Sequence, residues 1–143
     1  IAKREGLEFE FIETDLGDAH PNTVKFIMET KKGNYCEVIG SSIGGGSIQI
    51  TEVNGNKVEF TGDYPTLIIS HQDVPGAVSN VTSILYKEHI NIAFMKVFRK
   101  QRGKGATMVF EVDNRLNDDV IDEIKGIDSI SRVIRINPVK EEE

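Results

Sequence analysis

Cysteine occurs once, at Cys36, so the chain has no internal disulfide framework and cannot ligate a metal cluster alone. A lone thiol, read as a buried and inert strand residue, fits a reducing cytoplasm. The three histidines, His20, His71 and His89, are scattered without metal-ligand spacing, and His89 reads as a cation at a helix end. No apolar run approaches the roughly 20 residues that cross a bilayer, and no signal-peptide pattern is present. Cations are in the minority, 17 Lys and Arg against 23 Asp and Glu, and the net charge of −6 argues against nucleic acid or an anionic membrane as main partner. The Gly44-Gly45-Gly46 run lacks the following Lys-Ser/Thr and helix start of a phosphate-cradling loop. Neither an activated nucleophile nor a metal cluster stands out. What is present is suited to holding a small molecule rather than transforming it.

The 143 residues suffice for one medium domain or two small ones. Residues 1–6 read as the last turn of a helix stopped by Gly6, which leads to the expectation of further chain upstream. Residues 1–63 are rich in strand signals. Leu7, Phe9 and Phe11 alternate with Glu8 and Glu10 as in a half-buried strand, and Val24, Phe26 and Met28 share one face of a strand over 23–30. Strands are expected at 35–41, 47–53 and 57–61, with Asn54-Gly55 as a hairpin turn. The triple glycine reads as a tight turn or bulge, or as a close backbone approach to a partner subunit. His20-Pro21-Asn22-Thr23 reads as a turn, with an interfacial role open to His20.

Residues 64–143 follow a β-α-β-β-α-β order: a strand at 66–70, a helix at 75–88, strands at 90–99 and 106–112, a helix capped by Asn117 and stopped by Gly126, and a strand at 130–136. Pro75 suits the first turn of its helix. The fold class is therefore α+β: a small, mostly antiparallel β unit followed by a ferredoxin-like four-stranded sheet with both helices on one face. The open face and edges of that sheet predict pairing with a second copy. Residues 141–143 form an acidic tail expected to be solvated. The same strand order serves RNA-recognition domains, but the aromatic positions that stack bases are missing and the charge is of the wrong sign.

The stretch His71-Gln72-Asp73-Val74-Pro75-Gly76 joins an apolar strand to a helix, and Asn91 follows fifteen residues after Gly76. The amides of Gly76, Ala77 and Val78 would face outward at the helix start, where dipole and hydrogen bonds favour a carboxylate. Asp73 and Asn91 are candidate acceptors for an ammonium, and His71 or Asn91 for reaching a hydroxyl. Gly76 lets a ligand approach the backbone. Against this stands a plainer reading, in which Asp73 caps the helix and Pro75-Gly76 shapes the turn.

On these residues, the second segment resembles an ACT domain, the regulatory module of many amino-acid-metabolising enzymes. The pattern His71-x-Asp73-x-Pro75-Gly76 with Asn91-Ile92-Ala93 is similar to the serine-binding regulatory domain of D-3-phosphoglycerate dehydrogenase. There a His and two Asn hold the ligand between two domains; His71 and Asn91 match the His and the second Asn, and Asp73 replaces the first Asn. His20-Pro21-Asn22-Thr23 and Gly40-Ser41-Ser42-Ile43-Gly44-Gly45-Gly46-Ser47-Ile48 resemble the beta chain of bacterial iron–sulfur-dependent L-serine dehydratase. That resemblance implies an allosteric-substrate-binding-like first unit and L-serine bound at a homodimer interface of ACT domains. It also implies a catalytic alpha subunit that carries the [4Fe-4S] cluster and is contacted through His20, Asn22, Gly44, Gly45 and Gly46. In such an enzyme, converting L-serine to pyruvate and ammonia, this chain would supply no catalytic group. The alternatives are the regulatory tail of a D-3-phosphoglycerate dehydrogenase and an oligomerisation module without ligand.

Overall fold

The computed structural model describes residues 2–99 and 101–138. Two four-stranded antiparallel sheets account for most of it, with two helices on the second sheet. The expected acidic tail lies outside the described residues.

The first sheet runs in chain order: β1 (Thr23–Glu29), β2 (Tyr35–Gly44), β3 (Ser47–Val53) and β4 (Asn56–Phe60). Its turns follow from residues that tolerate positive φ. Asn54 and Gly55, at φ 49° and 74°, close the β3–β4 hairpin, and Gly45 and Gly46 close β2–β3. The triple glycine is thus a hairpin turn, with open space around all three glycines. The strand expected at Leu7 to Phe11 does not form. Residues 7–16 adopt no regular structure and leave Phe11 93% exposed, because no neighbouring strand pairs with their backbone. Cys36, expected to be buried, is partly exposed in β2.

The second sheet comprises β5 (Thr66–Gln72), β6 (Ile92–Arg99), β7 (Gly105–Val112) and β8 (Ile130–Ile136), in the spatial order β6-β7-β5-β8. Helices α1 (Ala77–Lys87) and α2 (Asp118–Lys125) cover one face. Leu67 and Ile69 of β5 and Met108 and Phe110 of β7 form the core there with Val81 and Leu85 of α1 and Val120 and Ile124 of α2. Asn117 caps α2, its Oδ1 accepting from Val120 N–H at 3.0 Å. α1 ends as its composition requires: His89 takes φ 54°, and the N–H of Ile90 bonds to Leu85 O.

The opposite face is not open, as the sequence had suggested. Ile68 of β5 and Val109 of β7 pack on Val53, Val58 and Phe60 of the first sheet, with Phe98, Ile134 and Ile136 around them. Buried Glu111 on β7 accepts the N–H and hydroxyl of Thr61, just after β4, at 3.1 and 3.2 Å. Lys96 of β6 pairs with Glu59 of β4. The central strand β7, covered on both faces, is buried from Ala106 to Val112.

Candidate functional site: the β5–α1 loop and its distant asparagine

The register of the second sheet settles which candidate residues can meet. β7 pairs with β5 and β6 so that His71, Ala106 and Arg99 form one row across the sheet, on the helix-covered face. At the other end of β7, Ile92 pairs with Val112. His71, Asp73, Gly76, Ala77 and Val78 therefore cluster at one end of the sheet, and Asn91 lies at the opposite end. The separation along β7 is roughly 20 Å at about 3.3 Å per residue. One copy of the chain does not bring Asn91 to His71.

β5 extends to Gln72, so His71 is a strand residue rather than a loop residue. Its side chain is 4% exposed; Nδ1 lies 2.7 Å from Gln72 O, and Nε2 is buried without a hydrogen-bond partner. The Ser129 hydroxyl, just before β8, is a second buried polar atom without a partner. It belongs to the same corner, since Ser129 O accepts Gln72 N–H at 2.8 Å. Nothing in the sequence pattern marked Ser129, because its burial follows from the register of β8.

Asp73 does something other than expected. It caps no helix: the N-cap of α1 is Gly76, left-handed at φ 90°, with no side-chain cap bond. Its carboxylate is already engaged within the chain. It accepts from Arg99 Nη2 at 2.9 Å and from Gly103 N–H at 3.0 Å, while its own N–H donates to Lys104 O at 2.7 Å. The Gly103 amide and then the Arg99 guanidinium hold the Asp73 carboxyl below the usual carboxylate range. Residue 73 thus pins the β5–α1 loop to the β6–β7 turn. An acidic residue can take this place because Arg99, in the row of His71, neutralises it.

α1 begins two residues later than expected, at Ala77, because left-handed Gly76 cannot be a helical residue; Pro75 stays outside. Ala77 N–H is engaged by Val74 O at 3.3 Å and Asn80 N–H by Gly76 O. Among the described residues, the N–H groups of Val78 and Ser79 have no acceptor, as expected in a first turn. The loop end thus offers backbone donors, a buried imidazole nitrogen and the Arg99–Asp73 pair.

Asn91 is exposed, with Nδ2 donating to Asp113 Oδ2 at 2.7 Å. The two N-terminal motifs meet at one end of the first sheet. His20 Nδ1 accepts Asn22 N–H at 3.2 Å, Asn22 O accepts Ser42 N–H at 2.9 Å, and Thr23 Oγ1 lies 2.8 Å from Ser41 Oγ. The triple-glycine turn follows two residues beyond Ser42. Among the described residues no three His, Cys, Asp or Glu side chains form a group able to hold a metal, and no helix is long and apolar enough to cross a membrane.

The β-α-β-β-α-β sheet with its donor-rich β5–α1 loop is an ACT domain, whose family model matches residues 65–129. The similarity runs well beyond those residues. The chain is 38% identical over 136 residues to a probable L-serine dehydratase beta chain of Bacillus subtilis, covering 95% of this chain and 61% of the relative. It is 35% identical over 129 residues to the L-serine dehydratase beta chain of Peptoniphilus asaccharolyticus, covering 90% and 58%. The chain thus spans about six tenths of the length of these relatives. A D-3-phosphoglycerate dehydrogenase of Methanocaldococcus jannaschii is 33% identical over 120 residues, 84% of this chain and 22% of the relative, so that likeness too includes part of the first sheet.

Proposed function

We propose that this chain is the regulatory part of the beta subunit of an iron–sulfur-dependent L-serine dehydratase, a β unit at 1–63 followed by an ACT domain at 64–143. Two copies would bind L-serine between their ACT domains and transmit its presence to a catalytic alpha subunit carrying the [4Fe-4S] cluster. The observation that carries the ligand reading is the division of the site. A buried, unpartnered imidazole nitrogen and open helix-start amides lie at one end of the sheet, and the matching asparagine at the other. Such a site is incomplete until a second copy supplies Asn91.

The edge strand β6 offers a way to supply it. Met95 and Val97, on the helix-covered side of β6, are 43% and 41% exposed, so this edge keeps an apolar stripe for a partner. Antiparallel pairing of β6 with its copy sets the beginning of one β6 against the end of the other. Asn91 of one copy then lies beside the partner's Arg99 and β5–α1 loop. L-serine would place its carboxylate on the α1 amides, its hydroxyl near His71 Nε2 and its ammonium toward Asn91. Binding one arrangement of the pair better than another shifts the equilibrium of the attached catalytic chain. The end of the first sheet bearing His20, Asn22 and Gly44 to Gly46 is the proposed alpha-subunit contact.

The test is complementation. His71→Ala and Asn91→Ala chains should each lose L-serine binding by calorimetry. A re-equilibrated equimolar mixture should recover about a quarter of wild-type site stoichiometry, since half the dimers are mixed and each mixed dimer has one intact site. No heat from the wild-type dimer at millimolar serine sinks the ligand reading, and failure of the mixture alone sinks the shared site. A second reading, the regulatory tail of a D-3-phosphoglycerate dehydrogenase, is favoured by the likeness across part of the first sheet. A Gly-rich dinucleotide fingerprint upstream in the gene decides for it.

A further inference from the structure

We infer that Asp113 is a positioning residue that turns the Asn91 amide so that its oxygen, not its nitrogen, meets the ligand, making ammonium recognition a property of the Asn91–Asp113 pair. The inference rests on the shared-site reading above and adds to it which group reads which end of the amino acid.

The argument begins with donors and acceptors. An ionised carboxylate only accepts hydrogen bonds, so the side of the Asn91 amide facing Asp113 Oδ2 at 2.7 Å is its NH2 group. The backbone holds the two residues together as well, with Asp113 N–H donating to Asn91 O at 3.2 Å. This double link, where β6 begins and β7 ends, leaves Asn91 Oδ1 turned away from Asp113 and without a donor among the described residues. Both side chains are exposed and so accessible to a second molecule. Asn91 therefore presents an acceptor, backed by the negative charge of Asp113. That arrangement suits an ammonium and repels a carboxylate.

The other half of the site has the opposite character. The α1 start presents N–H donors only, and the one nearby carboxylate, Asp73, is held by Arg99 and Gly103. A zwitterion bridging two copies consequently has one orientation: carboxylate on α1 of one chain, ammonium on the Asn91–Asp113 pair of the other. Selectivity for an α-amino acid over the same acid without its amino group then resides at Asp113 and Asn91, not at Asp73.

The experiment compares L-serine with 3-hydroxypropionate, which is serine without its amino group, by calorimetry on the dimeric chain. Wild type should prefer serine by about thirtyfold, the worth of one charge-assisted hydrogen bond. Asp113→Ala should narrow that preference to less than about fivefold, chiefly by weakening serine, because the amide is free to turn. Asp113→Asn, whose carbonyl still accepts from Asn91 Nδ2, should restore most of it. If Asp113→Ala fails to fold by circular dichroism, Asp113→Leu, which also offers Asn91 Nδ2 no acceptor, must show the same narrowing. Equal weakening of both ligands in Asp113→Ala, or an unchanged preference in Asp113→Leu, overturns the inference. A wild type that binds both ligands equally overturns it while leaving the shared site standing, whereas a wild type that binds neither removes both.

Discussion

Replacing Glu111 with alanine should loosen the two sheets from one another. The Glu111 carboxylate is buried on the central strand β7, and its Oε1 accepts both the N–H and the hydroxyl of Thr61. Hydrogen bonds to a charged group contribute about 1.5–3 kcal/mol each, and the Thr61 amide would lose its partner. Against that, removing a buried carboxylate relieves its desolvation, so the net cost should be about 2–3 kcal/mol. Glu111→Gln keeps an acceptor of the same shape and should cost about 1 kcal/mol or less. The assay is urea unfolding followed by circular dichroism. A loss of 2–3 kcal/mol, with a slope near 2 kcal/mol/M, moves the midpoint down by roughly 1–1.5 M. A Glu111→Ala midpoint within about 0.3 M of wild type would refute the reasoning. Equal losses in alanine and glutamine variants would show that acceptor geometry is not what the first sheet relies on.

Asp73→Asn should flatten the acid limb of stability. A carboxyl depressed in the folded chain contributes stability that is present above about pH 4 and lost as pH falls through its lower folded value. Wild type should therefore weaken below about pH 4 more than the variant does, checked by urea midpoints at pH 6 and pH 3. Gly76→Ala should cost about 1 kcal/mol in thermal or urea melts, because φ is +90° and the space around the residue is open, so the backbone alone objects. A cost near zero would mean that the loop relaxes and that α1 can start earlier.

The periodicity of residues 64–143 carried the second sheet and its helices almost intact, since alternation, the Asn117 cap and the Gly126 stop each act locally. Register was not legible, and the site depends on it. The motifs name His71 and Asn91 without saying where either lies, and strand pairing places them at opposite ends of β7. Asp73 looked like a cap or ligand group because sequence shows what a side chain can accept, not who reaches it first; Arg99 and Gly103 lie 26 and 30 residues away. Leu7, Phe9 and Phe11 have a strand's pattern without a partner strand, and pattern alone does not make hydrogen bonds.

The way the two sheets dock constrains how this protein can pair. A four-stranded sheet with helices on one face ordinarily has its other face and two edges available for association. Here the first sheet covers the second face, through Val53, Val58 and Phe60 on Ile68 and Val109. The association proposed above would thereby be directed to edges and helices. β6, with Met95 and Val97 exposed on its helix-covered side, is the edge that also has Asn91 just before its start and Arg99 at its end. Through Lys96 and Glu59 the same strand touches the first sheet. In the proposed pair, a displacement of β6 on ligand binding would be felt at the partner's loop, at its own loop through Arg99 and Asp73, and at β4. The face opposite the helices would then be the link between the proposed ligand site and the rest of the chain.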